Sequence, residues 1–163
     1  MIKSKSLLLL MRHGKSDWQP LGLDDFHRPL NQKGLKQSLA IAQELNNLGI
    51  NIDYALVSPA LRTRQTFDLL REHLNYDLAS SFDLRLYNAG LSDLLEVLKD
   101  QINLCQVILA VAHNPGLSHL LNFLSAKNHL FSTAELAILS PTQKTAMSFY
   151  EHSFNCKRII RSE

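Results

Sequence analysis

Leu7-Leu8-Leu9-Leu10-Met11-Arg12-His13-Gly14 is five apolar residues that run without a break into a charged turn. A short, wholly apolar run of this kind suits a buried parallel strand. Two later segments repeat the arrangement. Tyr54 to Ser58 reads as a second strand followed by Pro59, with Arg62 one turn into the next helix. Gln106 to Ala112 reads as the clearest buried strand and runs into His113-Asn114-Pro115-Gly116. Between these strands the apolar spacing becomes helical. Asn31 is an N-cap for a helix carrying Leu35, Leu39, Ala42 and Leu45, with Gly49 as its stop. Ser58 and Pro59 suit the cap and first turn of a helix with Leu61, Phe67, Leu70 and Leu74. Leu91 to Ile102 and Leu117 to Leu124 read as two more helices, and Glu135 to Leu139 and Thr145 to Tyr150 as late strands. Strands alternating with helices predict an α/β fold, a single-domain three-layer α/β/α sandwich with a mainly parallel central sheet over residues 1–163. Right-handed crossovers then bring the C-terminal ends of the parallel strands to one edge, where ligands of such sheets bind.

The composition narrows the function. Of 163 residues, 45% are apolar and 20% charged, ordinary for a soluble globular protein. A net charge of +2, from 17 Lys and Arg against 15 Asp and Glu, gives no broad footprint for nucleic acid but leaves room for a local basic pocket. Leu7 to Met11 is too short for a signal peptide's apolar core, and no segment approaches a membrane span, so the expected location is cytoplasmic, with neither membrane nor nucleic acid as partner. Cys105 and Cys156 form no C-x-x-C pair or zinc spacing and read as unpaired. His27, His73, His119, His129 and His152 show no metal-ligand pattern, and no metal or other cofactor is expected.

If the sheet is parallel, Arg12, His13, Arg62 and His113 converge on its edge. Arginine holds phosphate oxygens through a planar fork and stays charged at any physiological pH. A histidine with an unprotonated ring nitrogen is a nucleophile towards phosphorus. Taken singly, each of these residues has a plainer reading as a structural or solvated side chain; their shared place after predicted strands is what points to phosphoryl transfer. Gly14 lets the backbone turn sharply beside the ligand.

Leu-Met-Arg-His-Gly-Lys-Ser, Val-Ser-Pro-Ala-Leu-Arg-Thr-Arg-Gln-Thr and Val-Ala-His-Asn-Pro together resemble the signature of the histidine phosphatase superfamily, the phosphoglycerate mutase-like fold. The short chain and Phe-His-Arg-Pro-Leu-Asn-Gln-Lys-Gly most resemble its small branch, the SixA-type phosphohistidine phosphatases. The resemblance implies that His13 is the nucleophile, that Arg12, Arg62 and His113 complete the phosphate pocket, and that Gln19 is a polar phosphate contact. Ala112 stands where many relatives have glycine. The larger relatives place a glutamate general acid downstream of the second motif; here Phe82 to Gly90 holds none. Asp83 is a possible stand-in, as are Asp17, Asp24 and Asp25 of the early loop, each of which reads more simply as a solvated loop acid.

A pocket without an acid suits phosphohistidine, whose P–N bond breaks once the departing imidazole is protonated from solvent; an alkoxide is hard to expel without a proton donor. The expected substrate is therefore phosphohistidine on a phosphocarrier or phosphorelay protein. A phosphomonoesterase for a small phosphorylated metabolite and a non-catalytic phosphate-binding module are the alternatives.

Overall fold

Alternation along the first strand, β1 (Leu7–Arg12), sets the layers. Leu8 and Leu10 join one buried cluster with the third and fourth helices, α3 (Leu91–Lys99) and α4 (Gly116–Ser125). Leu9 and Met11 join another with the first two, α1 (Gln32–Leu48) and α2 (Leu61–His73). With helices on both faces, β1 has no solvated side, which is why it reads as continuous leucine rather than as an alternating strand. The computed structural model describes residues 6–18, 22–143 and 147–162.

The remaining strands are β2 (Tyr54–Val57), β3 (Ser80–Phe82), β4 (Val107–Ala112), β5 (Leu136–Pro141) and β6 (Phe154–Ile160), and the six form one sheet in the order β3-β2-β4-β1-β5-β6. β1, β2, β3 and β4 are mutually parallel where they pair; β5 runs antiparallel to β1, and β6 antiparallel to β5. The architecture is the predicted α/β/α sandwich with a mainly parallel sheet, lengthened on one side by two antiparallel strands.

Several local expectations change. The last strand is Phe154–Ile160, not Thr145 to Tyr150: residues 147–150 form no strand, and 145 and 146 lie outside the described residues. Met147 and Phe149 are buried instead as loop side chains of the α3/α4 cluster. β3 and β6 are the sheet's edges, one only three residues long with two serines, the other carrying exposed Lys157 and Arg158. Short and charged edges discourage further strand pairing, and the same features weaken their apolar pattern. α3 stops at Lys99 rather than Ile102. Asn31 caps α1 as expected, its side chain accepting from the Gly34 N–H at 2.9 Å, and Gly49 ends that helix at φ +64°. Ser58 does not cap α2; Ala60 takes that position without a side-chain bond, and the buried Ser58 hydroxyl is used elsewhere. Cys105 and Cys156 are free and half-buried. No helix among the described residues is long and apolar enough to cross a membrane.

Candidate active site

β1 and β4 pair in parallel with Arg12 opposite Ala112, so the residues that follow emerge side by side. The His13 amide donates to the Ala112 carbonyl at 3.3 Å, and the His13 and His113 rings lie 5.2 Å apart. β2 flanks β4 on its other side, and its continuation through Ser58 brings the first turn of α2, with Arg62, over the same edge. Arg12, His13, Arg62 and His113 line one cleft of about 240 Å³.

The hydrogen bonds fix both tautomers. Nδ1 of His13 lies 2.7 Å from the Gly14 carbonyl, which can only accept, so Nδ1 carries the proton. Nε2 is left with its lone pair, and Arg62 Nε donates to it at 3.2 Å. His113 is the reverse. Its Nδ1 accepts from Arg62 Nη2 at 3.3 Å, and its Nε2–H donates to the Ser58 hydroxyl at 2.7 Å. Burial first, and nearby arginines after it, pull His13 down to about 3, the Gly14 bond opposing. Burial, the neighbouring His13 and Arg62 pull His113 down to about 2. Both rings are neutral at physiological pH.

Arg12 donates from Nη1 to the Phe131 carbonyl at 2.7 Å, while its Nε is buried with no acceptor among the described residues. A buried guanidinium N–H without a partner is costly unless an anion supplies one. Lys15 and Arg28 add further positive charge to the cleft.

The acid candidates separate. Asp83 spends both carboxylate oxygens on Arg85 and is held below its ordinary range by those bonds; it does not line the cleft. Asp24 accepts from the His27 amide and ring and is likewise turned away. Asp17 is not among the cleft's lining residues either. Asp25 is. Its Oδ1 accepts from Arg28 at 2.7 Å, and its Oδ2 from Arg62 at 3.0 Å and the Tyr87 hydroxyl at 2.8 Å. Burial pushes the group up, but bonds from Tyr87, Arg62 and Arg28 outweigh it and leave it at about 2. Gln19 lies outside the described residues.

Four residues of the site escaped the sequence reading. Tyr87 binds Asp25 and sets its ring edge-on to His113, with centroids 5.6 Å apart. Arg28 anchors Asp25 and stacks its guanidinium over Trp18, 3.2 Å from the ring centroid. Thr66 accepts from the Gly14 amide at 3.0 Å, and Ser58 orients His113. Arg28, Ser58 and Thr66 all sit inside motifs that carried the family resemblance, where only the charged and nucleophilic positions drew attention. Nothing in the local pattern around Tyr87 marks it out. Among the described residues no group of three or more His, Cys, Asp or Glu is arranged to hold a metal ion.

Residues 8–101 match the family model of the histidine phosphatase superfamily (branch 1). An uncharacterized chloroplast protein of Arabidopsis thaliana is 26% identical over 141 residues, 81% of this chain and 65% of that protein, so the chain spans just under two thirds of that relative. The phosphohistidine phosphatase SixA homolog of Haemophilus influenzae is 30% identical over 136 residues, 77% of this chain and 80% of that protein. Among solved structures, a candidate phosphohistidine phosphatase SixA from Agrobacterium tumefaciens superposes with a TM-score of 0.84 at 24% identity, covering 97% of this chain and 99% of the other.

Proposed function

The chain belongs to the histidine phosphatase superfamily, branch 1, and from that premise we propose that it hydrolyses phosphohistidine on a phosphorylated protein, with His13 as nucleophile. The observation that carries the substrate class is the state of Asp25. It is the one carboxylate lining the cleft among the described residues, and three donors keep it ionised. A carboxylate held at about 2 has no proton to give an alkoxide. An imidazole leaving group takes its proton from solvent and needs none from the protein. The SixA likeness supports the same reading.

In this mechanism His13 attacks phosphorus through Nε2 while its Nδ1–H keeps donating to the Gly14 carbonyl. The P–N bond of the substrate breaks as the P–Nε2 bond forms. Arg12 and Arg62 neutralise the phosphoryl oxygens, and the unpartnered Nε of Arg12 acquires its acceptor. Water then attacks phosphorus, the P–Nε2 bond breaks, and inorganic phosphate leaves.

Rapid quenching with a labelled phosphohistidine peptide tests this directly. Acid-labile, alkali-stable label on the wild type, absent from a folded His13→Ala protein that has also lost turnover, is the expected result. Substantial turnover by His13→Ala excludes the nucleophile assignment. Phosphate release from a panel of sugar phosphates, with none from phosphohistidine, replaces the substrate class.

A further inference from the structure

Everything that touches the Asp25 carboxylate is a donor, and the donors come from three places: Arg28 on the same loop, Arg62 on α2 and Tyr87 just before α3. Arg62 also donates from Nη1 to the Asp25 backbone carbonyl, so the residue is held at both ends. His113 borders the cluster through Arg62 Nη2 and the Tyr87 ring, while neighbouring Asp24 bonds His27. The guanidinium of Arg62 therefore links the two groups, with Nε on His13 Nε2 and Nη2 on Asp25.

In-line transfer puts the leaving group on the side of phosphorus away from Nε2 of His13. An ester oxygen leaves with growing negative charge, which a fixed carboxylate lining the same cleft opposes. An N-phosphorylated imidazole leaves differently. Its distal nitrogen takes a proton from solvent, so the ring is cationic before the bond breaks. The electron pair of the P–N bond then stays on the departing nitrogen, phosphorus is bonded to His13, and neutral imidazole leaves with its distal N–H. A carboxylate beside that ring favours its protonated form.

We propose that Asp25 is a specificity-determining residue that selects P–N substrates over phosphate esters by accepting the distal N–H of the departing imidazole. The proposal rests on the phosphohistidine reading above and says how that site chooses its substrate. It also gives the clamp a purpose: Arg28 and Tyr87 hold the charge in place when substrate oxygens draw Arg62 away, where an unclamped carboxylate would follow the arginine or turn to water.

The test compares wild type with Asp25→Asn on phosphoimidazole and p-nitrophenyl phosphate. The ratio of kcat/KM for phosphoimidazole over the ester is expected to fall about tenfold or more, the scale of one hydrogen bond to a charged group. The alkaline limb of kcat on phosphoimidazole is expected to move to lower pH, with no matching move on the ester. A smaller fall in the ratio, or an alkaline limb that stays in place, overturns the proposal, because a residue that only anchors its loop lowers both rates together. Asp25→Ser is read in the same way should Asp25→Asn not fold. Wild-type protein that turns over the ester and not phosphoimidazole overturns the phosphohistidine reading instead, so the two failures are distinct.

Discussion

Arg62 Nε donates to His13 Nε2 at 3.2 Å, so the lone pair proposed to attack phosphorus is hydrogen-bonded to a residue proposed to bind the phosphate. Substrate oxygens must therefore draw the Arg62 donors away from His13 and Asp25 before attack. Arg62→Ala is expected to lower kcat/KM about a hundredfold or more, ~3 kcal/mol of transition-state stabilisation. Arg62→Lys is expected to recover only part, because a point charge cannot serve two directions as the fork does. Steady-state turnover of p-nitrophenyl phosphate measures both, and a wild-type rate for Arg62→Ala removes this residue from the machinery.

The loop after β1 and α1 meet at two glycines. A Cβ on Gly34 would lie 2.1 Å from the Lys15 carbonyl oxygen, and one on Gly14 2.7 Å from the Gly34 carbonyl oxygen. Alanine usually stabilises a helical glycine position by about 0.5–1 kcal/mol. At Gly34 the sign is expected to reverse, with a loss of roughly 1–3 kcal/mol, because the backbone beside it has to move. Thermal unfolding measures the loss. Activity well below the transition is expected to drop as well, since the displaced loop carries the Gly14 carbonyl that fixes the His13 tautomer.

Much of this site was legible in the sequence because strong apolar strands end at it. β1 and β4, buried on both faces, announce themselves as unbroken apolar runs, and the residues after them are the histidines. Arg62 follows the same logic one turn into α2. What the sequence hid depends on contacts between distant segments. Asp25 and Tyr87 are 62 residues apart and meet only because the loop before α1 folds over the sheet edge. Read alone, Asp25 is one of several loop acids, and Tyr87 is one aromatic in a polar turn. β3 and β6 were missed for a related reason, since an edge strand needs only one apolar face and suppresses the pattern by which buried strands are recognised.

Buried neutral histidines make stability depend on acid. His13 and His113 fall from an ordinary 6.5 to about 3 and about 2 in the folded protein. Below pH 6.5 the unfolded chain binds protons that the folded one refuses, so stability falls as pH falls; above it these groups have no effect. Between pH 6.5 and about pH 4.5 each histidine is expected to remove roughly 2–3 kcal/mol. Asp25, held at about 2 rather than 3.8, loses its contribution only below that window. Urea unfolding at neutral pH and at about pH 4.5 should show a smaller acid loss for His13→Asn than for wild type. Equal losses would mean that His13 is hydrated and close to its ordinary value.

Leaving-group chemistry gives the widest test of the site. As the proposed nucleophile, His13 has to be unprotonated to attack, and its low value means that kcat/KM should survive well below pH 6.5, falling only as pH approaches about 3 or as the substrate itself is protonated. A bound phosphate dianion beside the ring raises that value, so the acid limb of kcat is expected to lie above that of kcat/KM. At a fixed pH, rates on P–O esters should fall steeply as the pKa of the leaving alcohol rises, because Asp25 is ionised and Asp83 is bound to Arg85. Phosphoimidazole should lie far above the line those esters define. The acidic hydroxyl beside Asp25 is that of Tyr87, and its hydrogen is already donated to Asp25 at 2.8 Å. Burial and that bond also push the phenol above its ordinary value, making it a still poorer acid. Tyr87→Phe is therefore expected to loosen Asp25 and lower phosphoimidazole turnover several-fold without steepening the ester line. A loss of about a hundredfold confined to esters with poor leaving groups would make Tyr87 the missing general acid. In that case the cleft is built for a phosphorylated metabolite, and its likeness to phosphohistidine phosphatases extends to the fold and the nucleophile alone.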